Sequence, residues 1–112
     1  MPTDRPLHPR PERTPGALRA ACAAVAPHLL AAYDQAEDQA LADAVQHGSL
    51  QPVRACLDHW AALIDIERHP ETARAYHRAE HLARAATSPE EAREHLATAG
   101  AIYRAAAPAS HS

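Results

Sequence analysis

The stretch His77-Arg78-Ala79-Glu80-His81 is where residue types and spacing in this 112-residue chain come nearest to a reactive centre. Histidines at i and i+4 lie on one face of a helix and could share a zinc ion, with Glu80 between them as general base. As a string this is H-x-x-E-H, the inverted form of a zinc-peptidase motif. A catalytic zinc needs a third protein ligand, and downstream the chain offers Glu90, Glu91, Glu94 and His95. Arg74, Arg78 and Arg84 surround the histidines, which is the pattern of a solvated face with i,i+4 pairs. A chain of this length also leaves little room for a peptidase cleft. The favoured reading has no catalytic residue and no cofactor. A metal-binding protein or metal-dependent enzyme using His77, Glu80 and His81 is the alternative.

Other nucleophiles have weaker support. There is no G-x-S-x-G elbow, and three widely spaced glycines make no phosphate loop. Cys22 and Cys56 have no metal-like spacing and share stripes with aliphatic residues, so both read as small buried hydrophobes. A reduced cytosolic state is favoured over a disulfide. Trp60 reads as a core plug, with Tyr33, Tyr76 and Tyr103 as amphipathic edges.

The elements that must position these residues are helices. Leu50, Val53, Leu57, Trp60 and Ile64 recur at steps of 3 and 4, one stripe of a central helix opened by Ser49. Arg54, Asp58, Asp65 and Arg68 point away from that stripe. Thr14-Pro15 caps a short first helix to about Ala24. A second helix runs from about Pro27 to His47, with Leu29, Tyr33, Ala36, Ala40 and Ala44 inward, Leu30, Leu41 and Val45 at the flank, and Gly48 ending it. A fourth runs from Pro70 to about Ala86, facing inward with Ala75, Tyr76, Ala79 and Leu82. Ser88-Pro89-Glu90-Glu91 is a capping box for a fifth, which runs to about Ala107 with Leu96, Ala99, Ile102 and Tyr103 inward. No stretch alternates as a strand does. The fold class expected is all-α: a compact bundle of four to five helices over residues 14–107. Residues 1–13, with four prolines, read as a disordered Pro/Arg-rich tail, and residues 108–112 as a flexible C-terminus.

Charge then bears on partners. Alanine supplies 29 residues and phenylalanine none, so the core is thin and dependence on a partner becomes a live reading. The net charge is −3, but residues 28–67 carry seven acids against Arg54 alone. That balance argues against a dedicated nucleic-acid binder, and a DNA-binding regulator is the third reading. No apolar run suits a signal peptide or a membrane span, which points to the cytoplasm. A non-enzymatic interaction module is the first reading. Its partner would be basic, and its contact residues Asp34, Glu37, Asp38 and Asp43. Homo-oligomerisation stays open.

Three segments carry a resemblance: Thr14-Pro15-Gly16-Ala17-Leu18-Arg19, Leu50 through Trp60, and His69-Pro70-Glu71. Together they resemble a family of small helical proteins from high-GC actinomycetes. That family has a T-P-x-x-I/L-R opening, an acidic helix, an L-x-x-W helix and a D-P-E helix start. Here His69 stands where aspartate is usual, and Ala62 where a longer polar side chain is expected. The resemblance spans residues 13–86. Some members resemble partners of ribonuclease toxins, which implies an antitoxin-like role and no catalytic residues.

Overall fold

A computed structural model describes residues 4–111. Among them the chain forms five α-helices and one 3-10 turn, with no strand. Helix α1 spans Pro15–Val25, α2 Leu30–His47 after a turn at Pro27–Leu29, α3 Gln51–Glu67, α4 Pro70–Ala85 and α5 Pro89–His111. The all-α bundle expected from periodicity is the observed fold.

Local chemistry sets the boundaries. Thr14 Oγ1 accepts from the Ala17 N–H at 3.3 Å, closing the first turn of α1 ahead of Pro15. Gly48 ends α2 at φ 63°, a left-handed conformation that glycine adopts without Cβ strain. Ser49 sits one residue before the α3 cap position, so its Oγ reaches the Gln51 N–H at 3.1 Å. At α5, Ser88 Oγ accepts from the Glu91 N–H at 3.1 Å. The Glu91 carboxylate reaches back one residue past the cap, to the N–H of Thr87 at 3.2 Å. Pro108 does not terminate α5, which continues to His111. Proline in a last turn forfeits one backbone bond, here to the Arg104 carbonyl, and the helix absorbs it.

Helix α3 lies at the centre and touches all four others. On one side Trp60 and Ile64 join Leu18, Ala21 and Cys22 of α1 and Tyr33 of α2. The Tyr33 and Trp60 rings meet edge to face at 5.3 Å. On the other side Ala62 and Ile66 meet Ala73 of α4 and Ala106 of α5, with Tyr76, Ile102 and Tyr103 packed around them. The single stripe on α3 accounts for the first core only. The second uses Ala62 and Ile66, so the C-terminal half of α3 is enclosed all round and even Glu67 and Arg68 are buried.

Several inward assignments shift. Ala73 is buried and Ala75 exposed, because alanines at 73, 75, 79, 83, 85 and 86 mark no unique face. Leu96 is exposed, since α5 packs through Ala99 and Ala106. Arg68, expected to point away, is buried. Its Nε donates to Asp65 at 3.0 Å, and Nη1 to the His8 carbonyl at 3.1 Å.

That last bond belongs to the N-terminal segment. Residues 5–13 have no helix, and lie against the C-terminal half of α3. Leu7 N–H donates to the Arg68 carbonyl at 2.7 Å, Arg10 lies 3.5 Å from Asp65, and Arg13 donates to Asp58 at 2.7 Å. Asp4 then caps α4 from outside: its Oδ1 accepts from the N–H groups of Glu71 at 2.9 Å and Thr72 at 3.3 Å. His69, the N-cap residue of α4, makes no side-chain bond to the first turn of the helix; its Nδ1 instead lies 3.1 Å from the Asp4 carbonyl.

Candidate functional site

The acids proposed from sequence all stand on α2, which has no arginine, and none occurs between Arg19 and Arg54. The helix splits them. Asp34, Glu37 and Asp38 share one side by i, i+3 and i+4 spacing. Asp43, five residues past Asp38, is turned roughly 140° away, at 100° per residue, and accepts from Gln39 at 2.9 Å.

Two of the three clustered acids are engaged within the molecule. Arg19 of α1 grips Asp34 with two parallel bonds of 2.8 and 2.9 Å, and this contact pulls the carboxyl below the usual aspartate range. Glu37 and the Pro15 carbonyl each lie 3.0 Å from the Tyr33 hydroxyl. Burial first, and then the Glu37 carboxylate, push the Tyr33 phenol far above its ordinary value. Asp38 is exposed and follows on the same stripe.

Beyond Asp38 that stripe turns apolar. Leu41 is 50% exposed, Val45 85%, and Leu50 at the start of α3 63%. With Ala44, Gly48 and Val53 they line an open groove at the α2–α3 tip. The cause is a mismatch in length: α1 has 11 residues and α2 has 18. α1 covers the groove between α2 and α3 as far as Pro15 and stops. The sequence stripe on α3 is therefore one stripe with two fates, covered at Trp60 and Ile64 and open at Leu50. Alternation alone carries no signal for this, since a residue facing a neighbouring helix and one facing an uncovered groove have the same spacing.

The histidines lie elsewhere. His77 Nε2 is 2.5 Å from the buried Glu67 carboxylate, and Nδ1 is 3.8 Å from Glu80. His77 also meets the His28 ring edge-on at 6.5 Å, and His81 is exposed. Among the described residues no three histidines, cysteines or acids are grouped to hold a metal ion. The Glu67–His77 contact joins α3 to α4 and was not anticipated. His59 Nδ1 lies 2.8 Å from the Tyr103 hydroxyl, tying α3 to α5, and partial desolvation there lowers its pKa. Cys22 and Cys56 are free thiols, and burial raises both. Trp60 is core, as its stripe predicted. Among the described residues no helix is long and apolar enough to cross a membrane.

Fold and surface together define a small all-α protein with two cores on one central helix and an acidic, partly apolar hairpin tip. The chain belongs to a family of unknown function, DUF6247, whose model matches residues 6–109. That match takes in the N-terminal segment and α5, both outside the resemblance drawn from sequence. No curated protein and no solved structure matches the chain.

Proposed function

We propose that this chain is a non-enzymatic, cytoplasmic protein-interaction module that engages a basic partner through the acidic side of α2, in the manner of an antitoxin. One observation carries the reading. Three of the four arginines leading into and along α1, Arg10, Arg13 and Arg19, each contact an aspartate of α2 or α3: Asp65, Asp58 and Asp34. The molecule thus satisfies part of its acidic surface with its own arginines and leaves Asp38 exposed. Such a surface steers and orients a basic protein more than it adds raw affinity.

The test is charge reversal. A basic protein that co-purifies stoichiometrically with the tagged chain from its host is titrated against wild type and against Asp38→Arg combined with Asp43→Arg. Weaker binding by the variant, with a salt dependence reduced alongside it, is the expected result. Equal affinity would remove the electrostatic account.

A further inference from the structure

We propose that the open end of the α2–α3 groove receives a short amphipathic helix from another protein, lying in line with α1. Its aliphatic anchors rest on Leu41, Val45, Leu50 and Val53, and a basic side chain meets Asp38. The inference rests on the interaction-module reading and specifies how the partner docks.

The occupied half of the same groove supplies the template. There α1 presents Leu18, Ala21 and Cys22 to Tyr33, Trp60 and Ile64. Beside that apolar contact Arg19 clamps Asp34 with two bonds. One turn further along α2 the arrangement recurs without its occupant. Asp38 follows Asp34 by four residues, and Leu41 and Val45 continue the stripe. Across the groove Leu50 and Val53 extend the line of Leu57 and Trp60. A helix with apolar residues at i, i+3, i+4 and i+7 and an arginine beside them satisfies both features, as helix-in-groove recognition does elsewhere.

Charge and area choose between occupants. α2 has no arginine, so the α2 wall of the groove asks for a basic helix. Two copies placed tip to tip would set one acidic α2 face against another. A stable dimer also buries about 800 Å² on each partner, well beyond four aliphatic side chains at one hairpin tip. The groove suits a helix of two or three turns.

The experiment titrates the isotopically labelled full chain with synthetic helical peptides. Each carries a leucine stripe flanked by either arginine or glutamate, and amide shifts are followed by NMR. The arginine peptide should shift Leu41, Val45, Leu50 and Val53, and the glutamate peptide should bind more weakly. Val45→Asp with Leu50→Asp should weaken the arginine peptide by about tenfold or more, equivalent to at least about 1.4 kcal/mol. Both positions are exposed, so an unchanged melting temperature serves as the folding control. Asp38→Arg should invert the preference between peptides.

Three results would overturn the proposal. The first is no shift at the tip from either peptide at millimolar concentration. The second is binding that survives the double aspartate variant. The third is a concentration-dependent dimer that the variant disperses, which makes a second copy the occupant. The two readings separate cleanly. A basic partner that responds to Asp38→Arg and Asp43→Arg but ignores Val45→Asp and Leu50→Asp retains the acidic-face reading and ends the groove. The reverse pattern ends the electrostatic reading and, with it, the basic contact at Asp38 that the groove proposal requires, whereas weakening by both variants supports the two together.

Discussion

Asp4 caps a helix that begins 66 residues later in the chain, and removing its carboxylate tests whether the N-terminal segment is part of the fold. In Asp4→Ala the N–H groups of Glu71 and Thr72 lose their acceptor, and the Thr72 hydroxyl loses its partner. Removing a capping side chain costs about 0.5–2 kcal/mol. Asp4 is 35% exposed at its side chain, so water replaces part of what is lost, and about 1 kcal/mol is expected. In a chain of this size that lowers the melting temperature by about 4 °C. The pH dependence has a definite sign. The Thr72 hydroxyl, followed by the Thr72 and Glu71 N–H groups and the nearby His69, holds the Asp4 carboxyl below its ordinary value against the opposing effect of burial. A depressed carboxylate adds stability that is present above its unfolded pKa of about 3.9 and is lost as pH falls through the folded value. The gap in melting temperature between wild type and Asp4→Ala should therefore be constant from about pH 5 to 8 and close below about pH 4. Trypsin provides a second assay. Arg5 and Arg10 each precede proline, which blocks cleavage, so Arg13–Thr14 is the bond that reports release of the segment. Cleavage there should accelerate in Asp4→Ala. Equal melting temperatures and equal cleavage rates would refute the external cap and detach the segment from the fold's energetics.

Other substitutions probe the two cores. Trp60→Ala should cost about 3–5 kcal/mol, read as the shift in the urea midpoint, because it empties the contact with Tyr33. Ala62→Leu should cost about 1–3 kcal/mol by overpacking the fully buried α3–α5 contact, with faster hydrogen exchange along α5 as its signature. His77→Ala should cost about 1–3 kcal/mol by leaving the Glu67 carboxylate without its partner. Adding Glu67→Gln should recover part of that loss, and additive costs in the double variant would show that the pair does not interact.

The sequence by itself determined the helices, because their signals are local. Thr14-Pro15, Gly48 and Ser88-Pro89-Glu90-Glu91 are caps that act within a few residues. The first two behave as their chemistry dictates, and in the third Ser88 caps Glu91 as expected while the Glu91 carboxylate returns to Thr87 rather than to Ser88. The stripe through Leu57, Trp60 and Ile64 marked the first core because large side chains at a 3.6-residue period leave one solution. The second core was not legible. Ala62, Ala73 and Ala106 resemble the exposed alanines around them, and only the crossing of α3 with α4 and α5 buries them. The partners of charged groups were equally hidden, since Arg13 and Asp58 or Glu67 and His77 meet through packing rather than spacing. The candidate site divides the same way. Composition marked α2 as acidic and helical spacing already sets Asp43 apart from Asp38, but tertiary structure decided that Arg19 occupies Asp34 and that α1 leaves Leu41, Val45 and Leu50 uncovered. Which half of an apolar stripe stays open depends on which helix lies across it and where that helix is placed, and periodicity holds no record of that placement.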